Sequence, residues 1–333
     1  MALRLFLLLA ASATFEESFR AGLLALQHND LTAAAANLAT AARLAPNNGR
    51  VWVALAQTYW KQKENGKADE AAAKAAGLGA SDPLVLSTLA IYYAESGQTL
   101  KAAEAQTKYS GMAPQDTAAR EKAESLYFQA VQPLLQHQKF AEAIGILNKA
   151  VERLTNSAQL ELALGVSYYG LRRFDDAAGA FLRTIAIAPE IEQPYLFLGK
   201  FLGQIPNRLP EVTKQFVGYE SANPASAVGY LLHAKALNAQ SIEPEIARKL
   251  LEKAISINER DASAHFELGS VLDRTQQYVE AARELERAAE LDPMDPATHY
   301  RLSRVYDRLG KPEAARAERE RHAKLVEAQQ EAR

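Results

Sequence analysis

The chain contains no cysteine in 333 residues. That absence excludes disulfides, thiolate metal sites, thiol nucleophiles and a lipid-modified cysteine, and it leaves the redox compartment open. Neither sign of charge dominates, since 38 Lys and Arg stand against 40 Asp and Glu. A balanced chain lacks the basic footprint of a nucleic-acid binder, so nucleic acid is not an expected partner. Long apolar runs are missing too. The N-terminal one, Leu5 to Ala10, falls well short of the roughly 20 residues that cross a membrane, and no transmembrane span is expected in the mature chain.

Catalytic signatures are equally scarce. His28, His137, His233, His265, His299 and His322 are scattered, without the His-Glu-x-x-His spacing that puts two imidazoles on one helix face. Gly77 and Gly79 lack the third glycine and preceding strand of a dinucleotide loop, and neither a Walker sequence nor a Gly-x-Ser-x-Gly elbow occurs. The sequence therefore predicts no enzyme, no cofactor and no metal site.

What the chain does have is repetition. In residues 158–191, Leu164, Gly165 and Tyr168 lie on one face of a first helix. After a turn at Leu171, Arg172 and Arg173, a second helix presents Phe174, Ala177, Phe181 and Thr184, and Pro189 stops it. Gly165 and Ala177 let the two backbones approach, while Leu164, Tyr168 and Phe181 fill the surrounding volume. Such a pair cannot bury its remaining apolar face alone and needs neighbours. The spacing recurs in units beginning near residues 15, 49, 83, 124, 158, 192, 227, 262 and 296.

This pattern resembles the tetratricopeptide repeat, a 34-residue unit with an aromatic, Leu-Gly, Tyr, Ala, an aromatic, Ala and Pro at fixed intervals. In residues 262–295 the corresponding places hold Leu268, Gly269, Leu272, Tyr278, Ala281, Leu285, Ala288 and Pro293, and His265 and His299 fill the aromatic position of adjacent units as packing residues. The resemblance covers about residues 15–329 and implies an all-α fold, a right-handed superhelical solenoid of antiparallel helix pairs.

Several units depart from the consensus. Residues 61–65 lengthen the turn of the second, and Asn238 to Pro244 that of the seventh. Seven extra residues, 117–123, precede the fourth, and Pro133 inside its first helix predicts a kink or break. The expected bend therefore falls in 114–136, dividing a block of three repeats at 14–116 from a block of six at 117–329 whose last helix is a cap, with a tail at 330–333. In the sixth unit, residues 205–210 with two prolines read as a stiff inter-helix turn.

The resemblance also implies where a partner sits. First helices line the concave face, and the positions following the aromatic carry the contacts. On this chain the apolar part of that row is Phe19, Leu23, Leu26, Val53, Trp60, Ile91, Phe128, Leu135, Leu162, Val166, Tyr169, Leu196 and Leu231. A contiguous exposed apolar strip marks a protein or peptide contact; the alternative is that individual members pack against the next unit. Lys200, Lys235, Arg274, Arg304 and Arg308 continue the face, interrupted by Glu267, Asp273 and Asp307. A mildly basic end receives an acidic segment or chain terminus, or is a solvated helix face. The Lys/Asn clamp of chaperone-cofactor repeats and the Asn ladder of repeat-bearing glycosyltransferases are both absent.

Residues 1–13 offer Arg4, the apolar run and the small-x-small sequence Ala11-Ser12-Ala13. They read as a secretory signal, with a hydrophobic capping helix as the alternative. The resulting expectation is a non-catalytic scaffold that holds a partner protein or peptide in its groove, an exported assembly factor, periplasmic or secreted. With an uncleaved terminus the expectation is a cytoplasmic adaptor or the regulatory subunit of an enzyme complex.

Overall fold

The computed structural model describes residues 2–331, with side chains from residue 14 onward. The signal-segment expectation over residues 1–13 and the end of the expected tail, 332–333, lie outside these described side chains. The described residues hold eighteen α-helices and no strand. In chain order these are α1 (Ala2–Gln27), α2 (Leu31–Leu44), α3 (Gly49–Lys61), α4 (Asn65–Leu78), α5 (Pro83–Glu95), α6 (Thr99–Met112), α7 (Thr117–Gln136), α8 (Phe140–Arg153) and α9 (Ala158–Gly170). They continue as α10 (Phe174–Ile187), α11 (Gln193–Leu198), α12 (Leu209–Ala222), α13 (Ala227–Gln240), α14 (Pro244–Ile257), α15 (Ala262–Arg274), α16 (Tyr278–Leu291), α17 (Pro296–Arg308) and α18 (Pro312–Glu331). The fold is an all-α tetratricopeptide-type solenoid, built from helix pairs in the expected register. Contacts divide it into two compact units, Met1–Ser167 and Tyr168–Arg333.

Two recurring devices set the helix boundaries. Asn48, Asp82, Asp116, Asp261 and Asp295 precede first helices, and each side chain accepts a hydrogen bond from a backbone N–H of the first turn, at 2.9 to 3.1 Å. The turn between paired helices is three residues long, and its middle residue is left-handed at Asn29, Lys63, Gly97, Gln138, Arg172, Gln276 and Gly310. The residue after it donates to a carbonyl five positions back, as Gln98 does to Tyr93 at 2.8 Å and Gln277 to Leu272 at 2.8 Å. Of the two turns expected to be long, only the first is left-handed at its middle residue, Lys63; in the second Ser241 and Glu243 are left-handed on either side of Ile242. Residues 62–64 and 241–243 are three-residue turns, because the additional residue of the seventh unit is absorbed into α13.

In several units the aromatic position ties the first helix to the preceding loop. Trp52 Nε1, Tyr195 Oη and Tyr230 Oη donate to the carbonyl six residues upstream, at 2.7, 3.0 and 3.1 Å. A large ring can enter the packing there because its polar tip finds a partner.

In unit 1 the core mixes small and large side chains: Ala68, Ala71 and Ala75 of α4 are buried, as are Leu55 of α3 and Leu89 and Tyr92 of α5. Helix α7 has 20 residues against 13 in α3 and α5, so the seven-residue insertion extends the helix. Pro133 does not break it. The proline lies one turn from the end, where its carbonyl still accepts from His137 N at 3.0 Å, and only the bond its missing N–H would make is lost.

Unit 2 has an aromatic centre. Phe181 is fully buried and stacks on Phe197 at 5.1 Å between centroids, with Phe174 stacked on Phe201 at 5.4 Å beside it. Its second pair departs from the rule. Helix α11 stops after six residues, and the chain descends through two short 3-10 turns at 202–204 and 206–208 before α12. By the 34-residue period, Pro206 occupies the place of left-handed Arg172. A pyrrolidine ring fixes φ near −65°, so the usual closing turn is unavailable and the first helix ends early. The expected stiff turn at 205–210 thus begins sooner, at Gly199.

Candidate functional site

An open cavity of about 980 Å³ lies in unit 2. Its walls come from four consecutive helix pairs. The broken segment after α11 brings Lys200 and Gln204, α13 brings Lys235 and Asn238, α15 brings Phe266, Glu267, Asp273 and Arg274, and α17 brings Arg301 and Arg308. Five cationic side chains therefore face two carboxylates.

The pairing within this set is selective. Asp273, only 9% exposed, accepts from Arg308 and lies 3.8 Å from Arg301. Those two guanidinium groups also cover rings, Arg301 over Phe266 and Arg308 over Tyr278, each 5.4 Å from the centroid. Asn238 Nδ2 donates to Glu267 at 2.6 Å. Arg274 reaches only a backbone carbonyl, that of Asn238 at 3.0 Å. Lys200 sits 5.0 Å from the Phe197 ring centre. Among the described residues Lys200, Lys235 and Arg274 have no carboxylate partner, so the open part of the cavity is positive.

Of the residues expected to carry contacts, the structure brings Lys200 and Lys235 into this cavity. Leu196 is exposed beside it, and Arg304 is exposed with its guanidinium 6.0 Å from the Tyr300 ring centre. Leu231 corrects the expectation, since it is 9% exposed and belongs to the hydrophobic core with Leu268 and Leu272. Val53, which is buried in unit 1, corrects it as well. Tyr169 packs against Phe174, Phe197 and Phe201 with centroids 5.5 to 6.0 Å apart. In unit 1, Leu23 lines a smaller cavity of about 340 Å³ with Leu26, Gln57, Lys61 and Glu95. Phe19 stacks on Phe15 at 5.7 Å, Trp60 meets Tyr92 edge-on at 6.2 Å, and Ile91 is exposed. Phe128, Leu162 and Val166 are half-buried.

Sequence reasoning missed Gln204, Asn238, Phe266, Tyr278 and Arg301 as wall residues. The signal for Gln204 was available in Pro206, whose position in the turn register forces the chain open there.

His265 and His299 are both buried, at 6% and 3% exposure. His265 Nδ1 lies 2.8 Å from Glu284 and its Nε2 3.2 Å from the Glu259 carbonyl; His299 repeats the arrangement with Glu318 at 2.6 Å and the Pro293 carbonyl at 3.0 Å. Glu284 raises the His265 pKa above its ordinary value by accepting its hydrogen bond, against a smaller opposing effect of burial. No group of three or more potential metal ligands occurs among the described residues, and no helix there is long and apolar enough to cross a membrane.

The sequence model of the tetratricopeptide repeat matches residues 19–83, 128–190 and 243–296, and a second model of that repeat matches 274–324. Intraflagellar transport protein 70A of Xenopus tropicalis is 25% identical over 167 residues, which are 50% of this chain and 25% of that protein. Its Xenopus laevis counterpart is 24% identical over the same length. The chain thus spans about a quarter of the length of these relatives. Among solved structures, a thermophilic TPR protein of Thermus thermophilus is 22% identical, with a TM-score of 0.44, covering 51% of this chain and 99% of that one. Pseudomonas aeruginosa pilF is 19% identical, with a TM-score of 0.46 and coverage of 60% and 90%. MamA of Desulfovibrio magneticus is 16% identical, with a TM-score of 0.37 and coverage of 62% and 96%.

Proposed function

The chain belongs to the tetratricopeptide repeat family, and from that premise we propose that it is a non-catalytic scaffold holding a segment of a partner protein in the cavity of unit 2. Repeats of this family form protein–protein interaction scaffolds. The observation that carries the reading is the cavity wall itself, which presents three cations with no carboxylate partner and a volume of about 980 Å³. Arg308 is held by Asp273, whereas among the described residues these three cations carry no ion pair and remain available to an acidic partner.

Export as an assembly factor is part of the proposal and rests on the composition of residues 1–13. Mass spectrometry of the native protein should find a mature terminus near Thr14. A terminus retaining residues 1–13 would instead favour an adaptor or regulatory subunit inside the cell.

The cavity is tested by placing a photo-crosslinking amino acid at Gln204, which is exposed in the wall. Irradiation in native cells should give one protein adduct that is absent when the same probe sits at Lys108 in unit 1. Equal adducts from both positions, or none from Gln204, would remove the cavity as the partner site.

A further inference from the structure

The three unpaired cations are not clustered but laid out along the repeats. Lys200 follows Tyr195 by the same interval as Lys235 follows Tyr230, so the two hold one position in consecutive units. Arg274 stands one unit further on, one helical turn along α15. Neighbouring packed helices lie about 8–10 Å apart, so the backbone positions step across the cavity at about that interval, with Arg274 offset a further turn, about 6 Å, along its helix.

We infer that the cavity selects an acidic, extended segment of a partner protein, whose carboxylates recur about every third residue and meet Lys200, Lys235 and Arg274 in turn. This rests on the reading that the cavity holds a partner segment. A polyproline II chain returns to the same side every three residues and rises about 3.1 Å per residue, so its acidic groups recur about 9 Å apart. That period is close to the helix spacing, and the long, flexible Lys and Arg side chains span the axial offset of Arg274. A free small anion would reach one of the three cations, not the series.

A nucleic acid fits the wall less well. The Phe266 and Tyr278 rings that bases would stack on are covered by Arg301 and Arg308. Glu267, whose partner Asn238 is neutral, would repel a continuous phosphate chain. A peptide avoids both problems, since an uncharged residue between its acidic ones can lie against that carboxylate. The exposed amides of Gln204 and Gln276, also in the wall, are placed to pair with its backbone.

The test uses the full chain and fluorescein-labelled synthetic 12-residue peptides, read by anisotropy at low and high salt. One peptide repeats Glu-Ser-Gly, a second has the same composition with its glutamates contiguous, and a third carries Gln for Glu. The first should bind, with affinity falling as salt rises, and the second should bind several-fold more weakly. The Gln peptide should not bind. Lys200→Gln combined with Lys235→Gln should weaken the first peptide about tenfold, since two charge contacts are lost, while Lys108→Gln with Lys122→Gln in unit 1 should leave it unchanged. Equal binding of the two Glu isomers overturns the spacing. Binding of the Gln peptide, undiminished binding to the Lys200/Lys235 double variant, or tighter binding of a labelled oligodeoxythymidine overturns the acidic segment. If no Glu peptide binds at millimolar concentration while the Gln204 probe still captures a protein, the acidic segment is overturned and the partner cavity stands; a silent Gln204 probe removes the cavity itself.

Discussion

His265 Nδ1 lies 2.8 Å from Glu284 Oε2 while Nε2 of the same ring faces the Glu259 carbonyl at 3.2 Å. Both partners are acceptors, so the ring satisfies both contacts only when each nitrogen carries a proton. The pKa shifts agree: accepting from His265 holds Glu284 below its ordinary 4.5, and His265 is raised above 6.5. The raised histidine stabilises the fold fully below 6.5, and that contribution disappears as pH rises through its folded pKa. The lowered carboxylate contributes above 4.5 and loses its contribution as pH falls through its own folded pKa. The pair is therefore strongest between about 4.5 and 6.5. Thermal melts followed by circular dichroism should show the midpoint falling from pH 6 to pH 9. Glu284→Gln should flatten that decline, and a variant with the wild-type slope would show that the pair is not its source.

Phe181 supplies a prediction about packing. Its ring is fully buried and stacked on Phe197, which belongs to the next helix pair. Truncation to Ala removes a shared knob between pairs and should destabilise unit 2 by about 3–5 kcal/mol in denaturant unfolding. An unchanged midpoint would contradict the register assigned to this repeat.

Two glycines should respond in opposite directions to alanine. A Cβ on Gly145 of α8 would meet nothing within 4 Å, so the helix propensity of Ala should stabilise by about 1 kcal/mol. A Cβ on Gly229 of α13 would lie 2.8 Å from the Glu220 Cα, which is backbone and cannot rotate away. The clash, about 1–3 kcal/mol, outweighs the same propensity gain. Chemical denaturation of Gly145→Ala and Gly229→Ala should give shifts of opposite sign.

Repeat boundaries are legible because periodicity is local: the starts read at 49, 83, 158, 227, 262 and 296 coincide with helix starts. The sixth pair escapes that reading because Pro206 looks like a stiffener in sequence, whereas its effect comes from sitting where the other turns are left-handed. At the cavity, Lys200 and Lys235 are legible from their repeat position, but which cations stay unpaired is not. That depends on partners in the neighbouring pair, such as Arg308 and Asp273, 35 positions apart. Leu231 fails for a related reason, since the rule that places it on the open face ignores how deeply α13 packs against α15.

The left-handed turns carry the last prediction. Gln138 has φ 56° and Gly310 φ 67° at the same place in their turns, yet only one is glycine. A residue with a Cβ is strained in this region by roughly 1–2 kcal/mol, partly offset because glycine loses more freedom on folding. Gln138 is exposed, so replacing it by Gly removes the strain without deleting a contact and should stabilise unit 1 by about 0.5–1 kcal/mol. Gly310→Ala should destabilise unit 2 by about 1 kcal/mol through φ alone, because a Cβ there would meet nothing within 4 Å. Measuring both separates backbone strain from packing. If Gly310→Ala is neutral, the turn tolerates a side chain freely and the strain argument loses its energetic basis; Pro206 is a separate case, because its ring excludes positive φ outright.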